Sequence, residues 1–220
     1  MSRYSAVVVA ALMFSSAVAV ARADDVADAR KLVGDSSGVI TQLQHDQHFW
    51  DLMKRAKGAF IVPHLGEGAL VAGGSGGSGI LLRHEANGWS NPAFLNIGSI
   101  SVGAQAGGKA GPVVMLLMTD KAVESFTQAN NLSLNANAGL TVVNYSAKGQ
   151  APVGKGDVIV WSNQAGVFAG ASVSATDITS NSGEDRAYYG RKASTEDILS
   201  GKVRPQTASA DRKLIAELPH

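Results

Sequence analysis

The stretch LVAGGSGGSGILLR, from Leu70 to Arg83, fits two chemical templates at once. Gly74 to Gly79 satisfies G-x-G-x-x-G, the pattern that cradles a dinucleotide pyrophosphate. Gly73 to Gly77 satisfies G-x-S-x-G, which would make Ser75 a nucleophile. Both chemistries need the chain to turn from a strand into a helix at the glycines. One uses the free N–H groups of the helix start, and the other uses the sharp elbow. The residues that follow, Gly79-Ile80-Leu81-Leu82-Arg83, are β-like instead. No Asp or Glu lies between Glu85 and Asp120, where a ribose-binding acid would stand. No acid separates Ser75 from His84, and His220 sits on the terminal tail. No P-loop lysine follows the glycines. The residues therefore read as a turn, or as a place where backbones approach closely, both of which glycine permits.

Three other constellations carry potential chemistry. His45 and His48 lie three apart with Asp51 three further on, one face of a helix if that helix is continuous. A metal site needs three or four ligands, and His64 and His84 offer no matching spacing, so surface histidines are expected and no metal or cofactor is assigned. The carboxylates available to the glycine-rich region are Glu67, Glu85, Asp120, Asp157, Asp177, Glu184, Asp185 and Asp197. Their spacing picks out no acid–base pair, so no catalytic residue is assigned. Phe49 to Lys57, FWDLMKRAK, sets aromatic residues beside Lys54, Arg55 and Lys57. Such a helix can lie in a membrane interface with its cations toward anionic headgroups. On this segment alone, a core-packing helix with a solvated basic end is the favoured reading.

The elements that must position these residues follow from periodicity. Asp24 to Lys57 reads as helix, with apolar residues three and four apart at Ile40, Leu43, Phe49, Leu52, Met53 and Ala56. Asp35 or Ser36 could cap a helix after Gly34. From Gly58 short apolar runs recur with glycine, asparagine or serine between them: Ala59–Val62, Leu70–Ala72, Ile80–Arg83, Ala93–Ile97, Val113–Met118, Leu140–Asn144, Asp157–Trp161 and Val167–Val173. That rhythm predicts an antiparallel β-rich α+β domain, a sandwich or barrel with N-terminal helices. One helix interrupts it at Lys121–Gln128, capped by Thr119 or Asp120, with Val123 and Phe126 inward. A helical turn is expected at Thr195–Leu199 after Ser194. A polar, mildly helical tail closes the chain.

Composition narrows the function classes. Arg3 precedes an apolar run from Ala6 to Val20, and Ala21-Arg22-Ala23 ends it. This pattern describes a secretory signal over residues 1–23. The run is shorter than the roughly twenty residues a membrane span needs. Removing Arg3 and Arg22 and no acid would take the formal charge from +1 to −1. A near-neutral chain does not advertise nucleic-acid binding. There is no cysteine, which excludes disulfides, thiolate metal sites and a thiol nucleophile.

The run Gly88-Trp89-Ser90-Asn91-Pro92-Ala93-Phe94, with Ser101-Val102-Gly103-Ala104-Gln105-Ala106-Gly107, resembles the SYLF domain family. So do Ala56–Pro63, the glycine stretch, Val113–Met118 with Asp120-Lys121-Ala122-Val123, Gly166–Gly170, Ala187-Tyr188-Tyr189-Gly190 and Asp197-Ile198-Leu199, in order. The resemblance covers about Val26 to Leu199. It implies a non-catalytic lipid-binding domain over residues 24–203, with 204–220 as the tail. The implied partner is an anionic phospholipid membrane surface. Headgroups would meet Lys54, Arg55 and Lys57, with Phe49 and Trp50 as insertion points and Arg83, Arg191 and Lys192 as second-rank cations. The implied location is exported, periplasmic or secreted. Trp89 with the turn proline Pro92, weighed together with Phe94, could form a lipid-contacting lip, and a plug in the β core is the favoured alternative. The rival class is a structural or protein-interaction domain with an envelope protein as partner.

Overall fold

The computed structural model describes residues 25–66, 76–101, 111–134, 140–145, 156–162, 174–205 and 209–219. The predicted signal, the runs Leu70–Ala72 and Val167–Val173, Ser75 and the stretch 102–110 lie outside the described residues.

The described residues open with two helices, α1 (25–43) and α2 (Gln47–Arg55). They are separate because Asp46 takes an extended conformation and caps α2, its side chain accepting from the Phe49 N–H at 3.0 Å. The expected cap at Asp35 or Ser36 is corrected. α1 runs through Gly34, where a Cβ would meet nothing within 4 Å. Asp35 instead pairs with Lys31 Nζ at 2.6 Å and His64 Nε2 at 2.9 Å. The Ser36 hydroxyl donates to the Leu32 carbonyl at 2.8 Å.

Among the described residues nine strands follow: β1 (Gly58–Leu65), β2 (Gly77–Glu85), β3 (Gly88–Trp89), β4 (Ala93–Ser101), β5 (Gly111–Leu117), β6 (Asn130–Leu132), β7 (Val142–Tyr145), β8 (Val158–Ser162) and β9 (Ser174–Ser180). They form one sheet in the order β6-β9-β4-β2-β1-β5-β8-β7, with β3 paired to β2. All pairs are antiparallel except β7–β8. The sheet curls into a half-barrel, giving an α+β domain as predicted. β1 is central: Phe60 faces Leu81 of β2 on one side and Met115 of β5 on the other.

The inner strands are not half-buried ribbons. Gly58 to Pro63 are all buried, as are Gly79–Leu82, Val113–Leu117 and Val158–Ser162. Such continuous runs mark strands covered on both faces. The helices supply part of the cover: Phe126 of α3 (Asp120–Thr127) meets Phe60 at 5.8 Å, and Phe49 of α2 meets Trp161 at 5.9 Å. α3 is capped by Thr119 and buries Val123 and Phe126, as the sequence predicts. α5 (Thr195–Leu199) is capped by Ser194, also as expected.

Helix α4 (Ser182–Tyr189) and strand β9 are not among the predicted elements. β9, SATDITS, lacks an apolar run. The C-terminal segment is more than a polar tail. α6 (Ser209–Glu217) leads to buried Leu214 and Leu218, and Trp89 Nε1 donates to the Pro219 carbonyl at 2.8 Å. Ser37 hydrogen-bonds Glu217, so α6 also holds α1. Trp89 is 7% exposed and stacks on His84 with ring centres 4.4 Å apart, so it plugs the core and forms no lip.

The described part of the glycine stretch enters β2 directly, without a helix. A Cβ on Gly79 would lie 2.5 Å from the Ile61 carbonyl oxygen and 2.8 Å from Phe60 Cε2. Glycine is required there by close strand approach. Overpacking of this kind costs about 1–3 kcal/mol or more. Gly79→Ala should lower the unfolding free energy by about 1–3 kcal/mol, read as a lower urea midpoint at unchanged m. An unchanged midpoint would show that β1 and β2 can part without penalty.

Candidate functional site

Two surfaces meet at Lys57. The first is the basic end of α2. Phe49 and Met53, four apart, face the core and leave Lys54 and Arg55 on the opposite side. Lys54 is 48% exposed and lies 3.3 Å from Asp51, an exposed pair of small worth. Arg55 is exposed, and its Nε donates to the Asp51 carbonyl at 3.1 Å. Lys57 is exposed, with its backbone N–H fixed to the Leu117 carbonyl at 2.7 Å. The assignment of Phe49 as an insertion point is corrected: it is 0% exposed and packs on Trp161. Trp50 is half-buried against the core. His45 lies in the break before α2, so His45 and His48 do not share one continuous helix, and both are exposed.

The second surface is a cavity of ≈ 840 Å³ beside Lys57. β2 contributes Arg83, His84 and Glu85, α3 contributes Asp120 and Glu124, and α4 and α5 contribute Asp185 and Glu196. Arg83 is not a free cation. Its two terminal nitrogens donate to Glu196 Oε1 at 3.1 Å and Oε2 at 2.7 Å, and Glu85 lies at 3.9 Å. That bidentate bond raises the guanidinium pKa and lowers the Glu196 carboxyl. Arg191 and Lys192 are exposed and do not line the cavity.

Asp185 is the unusual member. It is 2% exposed, and its Oδ1 accepts from the Phe94 N–H at 3.0 Å. Burial pushes its carboxyl up to about 7, the Phe94 hydrogen bond pulls the other way, and neighbouring Glu184 adds to the rise. Glu184 is raised by burial and by Asp28, and its Oε2 is buried without a partner. Nearby, the Tyr189 hydroxyl donates to the Pro92 carbonyl at 2.6 Å, so α4 grips the start of β4 at two points.

The sequence names Asp185 within a pool of acids and assigns it no role. One signal is present: Asp185, Tyr188 and Tyr189 lie three and four apart and are the buried residues of α4, so the acid falls on the apolar face. Nothing in the spacing joins Lys57, Arg83, Asp120, Asp185 and Glu196, which come from four helices or strands and one connecting residue. Among the described residues no three His, Asp or Glu side chains are grouped to hold a metal ion.

The Asp185 shift has a signed consequence. The folded chain holds this proton above the pH at which the unfolded chain loses it. Its contribution to stability is therefore present below the ordinary carboxylate range and is lost as pH rises to about 7. Asn can still accept from Phe94 and carries no charge. Asp185→Asn should raise the melting temperature at pH 8 and change it little at pH 4. A stabilisation equal at both pH values would contradict a buried, titrating carboxyl.

Residues 98–218 match the family model described as "Ysc84: Las17-binding protein actin regulator", a range that runs through α6. The chain is 31% identical over 163 residues to "LAS seventeen-binding protein 3" of Saccharomyces cerevisiae, covering 72% of this chain and 36% of that protein. It is 30% identical over 164 residues to "SH3 domain-containing YSC84-like protein 1" of Mus musculus, covering 73% of this chain and 48% of the relative. The chain thus spans about a third to a half of the length of these relatives. On the match over 98–218, the chain belongs to the Ysc84/SYLF family.

Proposed function

We propose that this chain is an exported, non-catalytic module that docks peripherally on anionic phospholipid surfaces through Lys54, Arg55 and Lys57. One observation carries the reading: three exposed cations crowd the end of a helix whose other face is locked in the core. A fixed helix holds its cations together without further ordering cost at the membrane. With Phe49 buried, headgroup charge supplies most of the attraction and Trp50 at most an edge. The family description names a regulator of actin, and the relatives named above carry no enzyme name. Export rests on Arg3, the run Ala6–Val20 and Ala21-Arg22-Ala23.

A second reading has its own support. The yeast relative is named for binding another protein, and the same basic end could meet an acidic protein surface. The two differ in what a vesicle can compete for.

The chain should co-sediment with phosphatidylglycerol vesicles and not with phosphatidylcholine vesicles. Raising salt from about 0.1 M to about 1 M shortens the screening length from about 10 Å to about 3 Å and should release it. At about 1 kcal/mol per cation, changing Lys54, Arg55 and Lys57 together to Ala should weaken binding on the order of 100-fold. A chain that stays in the supernatant with every lipid would overturn the lipid reading and favour the protein partner. The exported protein should have an intact mass that begins at Asp24. A mass that retains Met1 to Ala23 would remove the cleaved-signal reading.

A further inference from the structure

We propose that Arg191, Lys192 and Arg204 form a second cationic group that meets the same anionic lipid surface as the basic end of α2. The inference rests on the docking reading above. It adds the residues and the end of the sheet that face the lipid.

Strand register brings the two groups to one side. Phe94 of β4 pairs with Ile80, Ile80 with Ile61, Ile61 with Val114 and Val114 with Trp161. Directly opposite residues of an antiparallel pair point the same way, so this row of five side chains lies on one face. Tyr188 of α4 meets Phe94 at one end of the row, with ring centres 5.2 Å apart. Phe49 of α2 meets Trp161 at the other end, at 5.9 Å. α2 and α4 therefore cover the same face. Phe60, one residue out of step with Ile61, points to the opposite face, where it meets α3 with its Asp120 and Glu124.

Both helices also end at the same end of the sheet. α2 leads through Ala56 and Lys57 into the start of β1. α4 ends at Tyr189, whose hydroxyl donates to the Pro92 carbonyl at 2.6 Å, just before β4 begins. β1 and β4 are both antiparallel to β2, so their starts lie together. Two strand spacings separate them, about 10 Å. Gly190, left-handed at φ 69°, stops α4, and Arg191 and Lys192 follow it. Arg204 is held at the same turn, because Asn91 Nδ2 donates to the Val203 carbonyl at 3.2 Å. Lys57 and Ala193 line one cavity, so the two groups flank a single concavity.

Charge decides what this surface fits. Arg191, Lys192 and Arg204 are exposed, and none of their side chains bonds or pairs with another described residue. The neighbouring acids of α5 are already matched, Glu196 by Arg83 at 2.7 Å and Asp197 by Lys202 at 3.2 Å. A small anion could meet one cationic group at a time. An anionic bilayer is continuous over the whole span and meets both. The rigid sheet presents the two groups together, so the second engages without a further cost of orientation.

The test is co-sedimentation of the full chain with phosphatidylglycerol vesicles at about 0.1 M salt. The combined change Arg191→Ala, Lys192→Ala and Arg204→Ala should weaken binding at least about tenfold. These side chains are exposed, so an unchanged melting temperature should verify the fold. Arg30→Ala with Lys31→Ala is the control. Both lie on α1, which reaches the far end of β1 where Asp35 meets His64 at 2.9 Å. At more than a screening length from the contact, this pair should weaken binding by no more than about twofold. Full binding by the Arg191, Lys192 and Arg204 variant would overturn the proposal. An equal loss in the control would also overturn it, since net charge alone would then explain the effect. The Lys54, Arg55 and Lys57 variant separates the two ideas. If it binds fully and the new variant does not, the α2 site falls and the second group stands. If the reverse holds, the second group falls alone. A wild-type chain that binds no vesicle overturns both.

Discussion

Six consecutive buried residues, Gly58 to Pro63, impose the main constraint on this fold. A strand buried on both faces cannot stand at a solvated sheet surface, so helices must cover it. Phe126 from α3 meets Phe60 of this strand, and Phe49 from α2 meets Trp161 of β8. Burial of two large aromatic side chains contributes about 1.5–3 kcal/mol each, before any geometric preference. The same strand demands Gly79 beside it, since no side chain fits between that position and the Ile61 carbonyl.

Everything that could bind something depends on this packing. The face of α2 that enters the core orients its basic end outward. The seat of α3 against β1 brings Asp120 and Glu124 across from Arg83. α4 is fastened to the start of β4 by the Tyr189–Pro92 and Asp185–Phe94 hydrogen bonds, and this fastening is what buries a carboxyl. The burial opposes ionisation of Asp185, yet the carboxyl also satisfies a buried backbone N–H. α6 closes the arrangement from the far end of the chain. The C-terminal segment ties Trp89 to Pro219 and α1 to Glu217, so α1 and α6 share one core.

Much of the architecture was legible because its signals are local. Thr119 and Ser194 announce the starts of α3 and α5 by side-chain capping, which needs only neighbouring residues. The apolar runs at Gly58, Ile80, Ala93, Val113 and Val158 are long and continuous, so their strands stand out. β9 and β6 were not legible, because SATDITS and NNL carry no apolar pattern and become strands by pairing with β4 and with each other. α4 was missed because Gly183 and two acids weaken its helical pattern, while Asn181 and Gly190 fix its ends.

The sequence by itself determined the fold class and the basic end of α2, since each follows from residue type and short spacing. Only the tertiary structure decided which side of each element faces the core. Periodicity shows that Phe49 and Met53 share a face, but it does not say whether protein or lipid covers that face. The answer came from Trp161, more than a hundred residues away. Likewise, an aspartate beside two tyrosines reads the same in solvent or in a cavity. Its burial, and the gathering of Lys57, Arg83, Asp120, Asp185 and Glu196, depend on long-range pairing that no local pattern encodes.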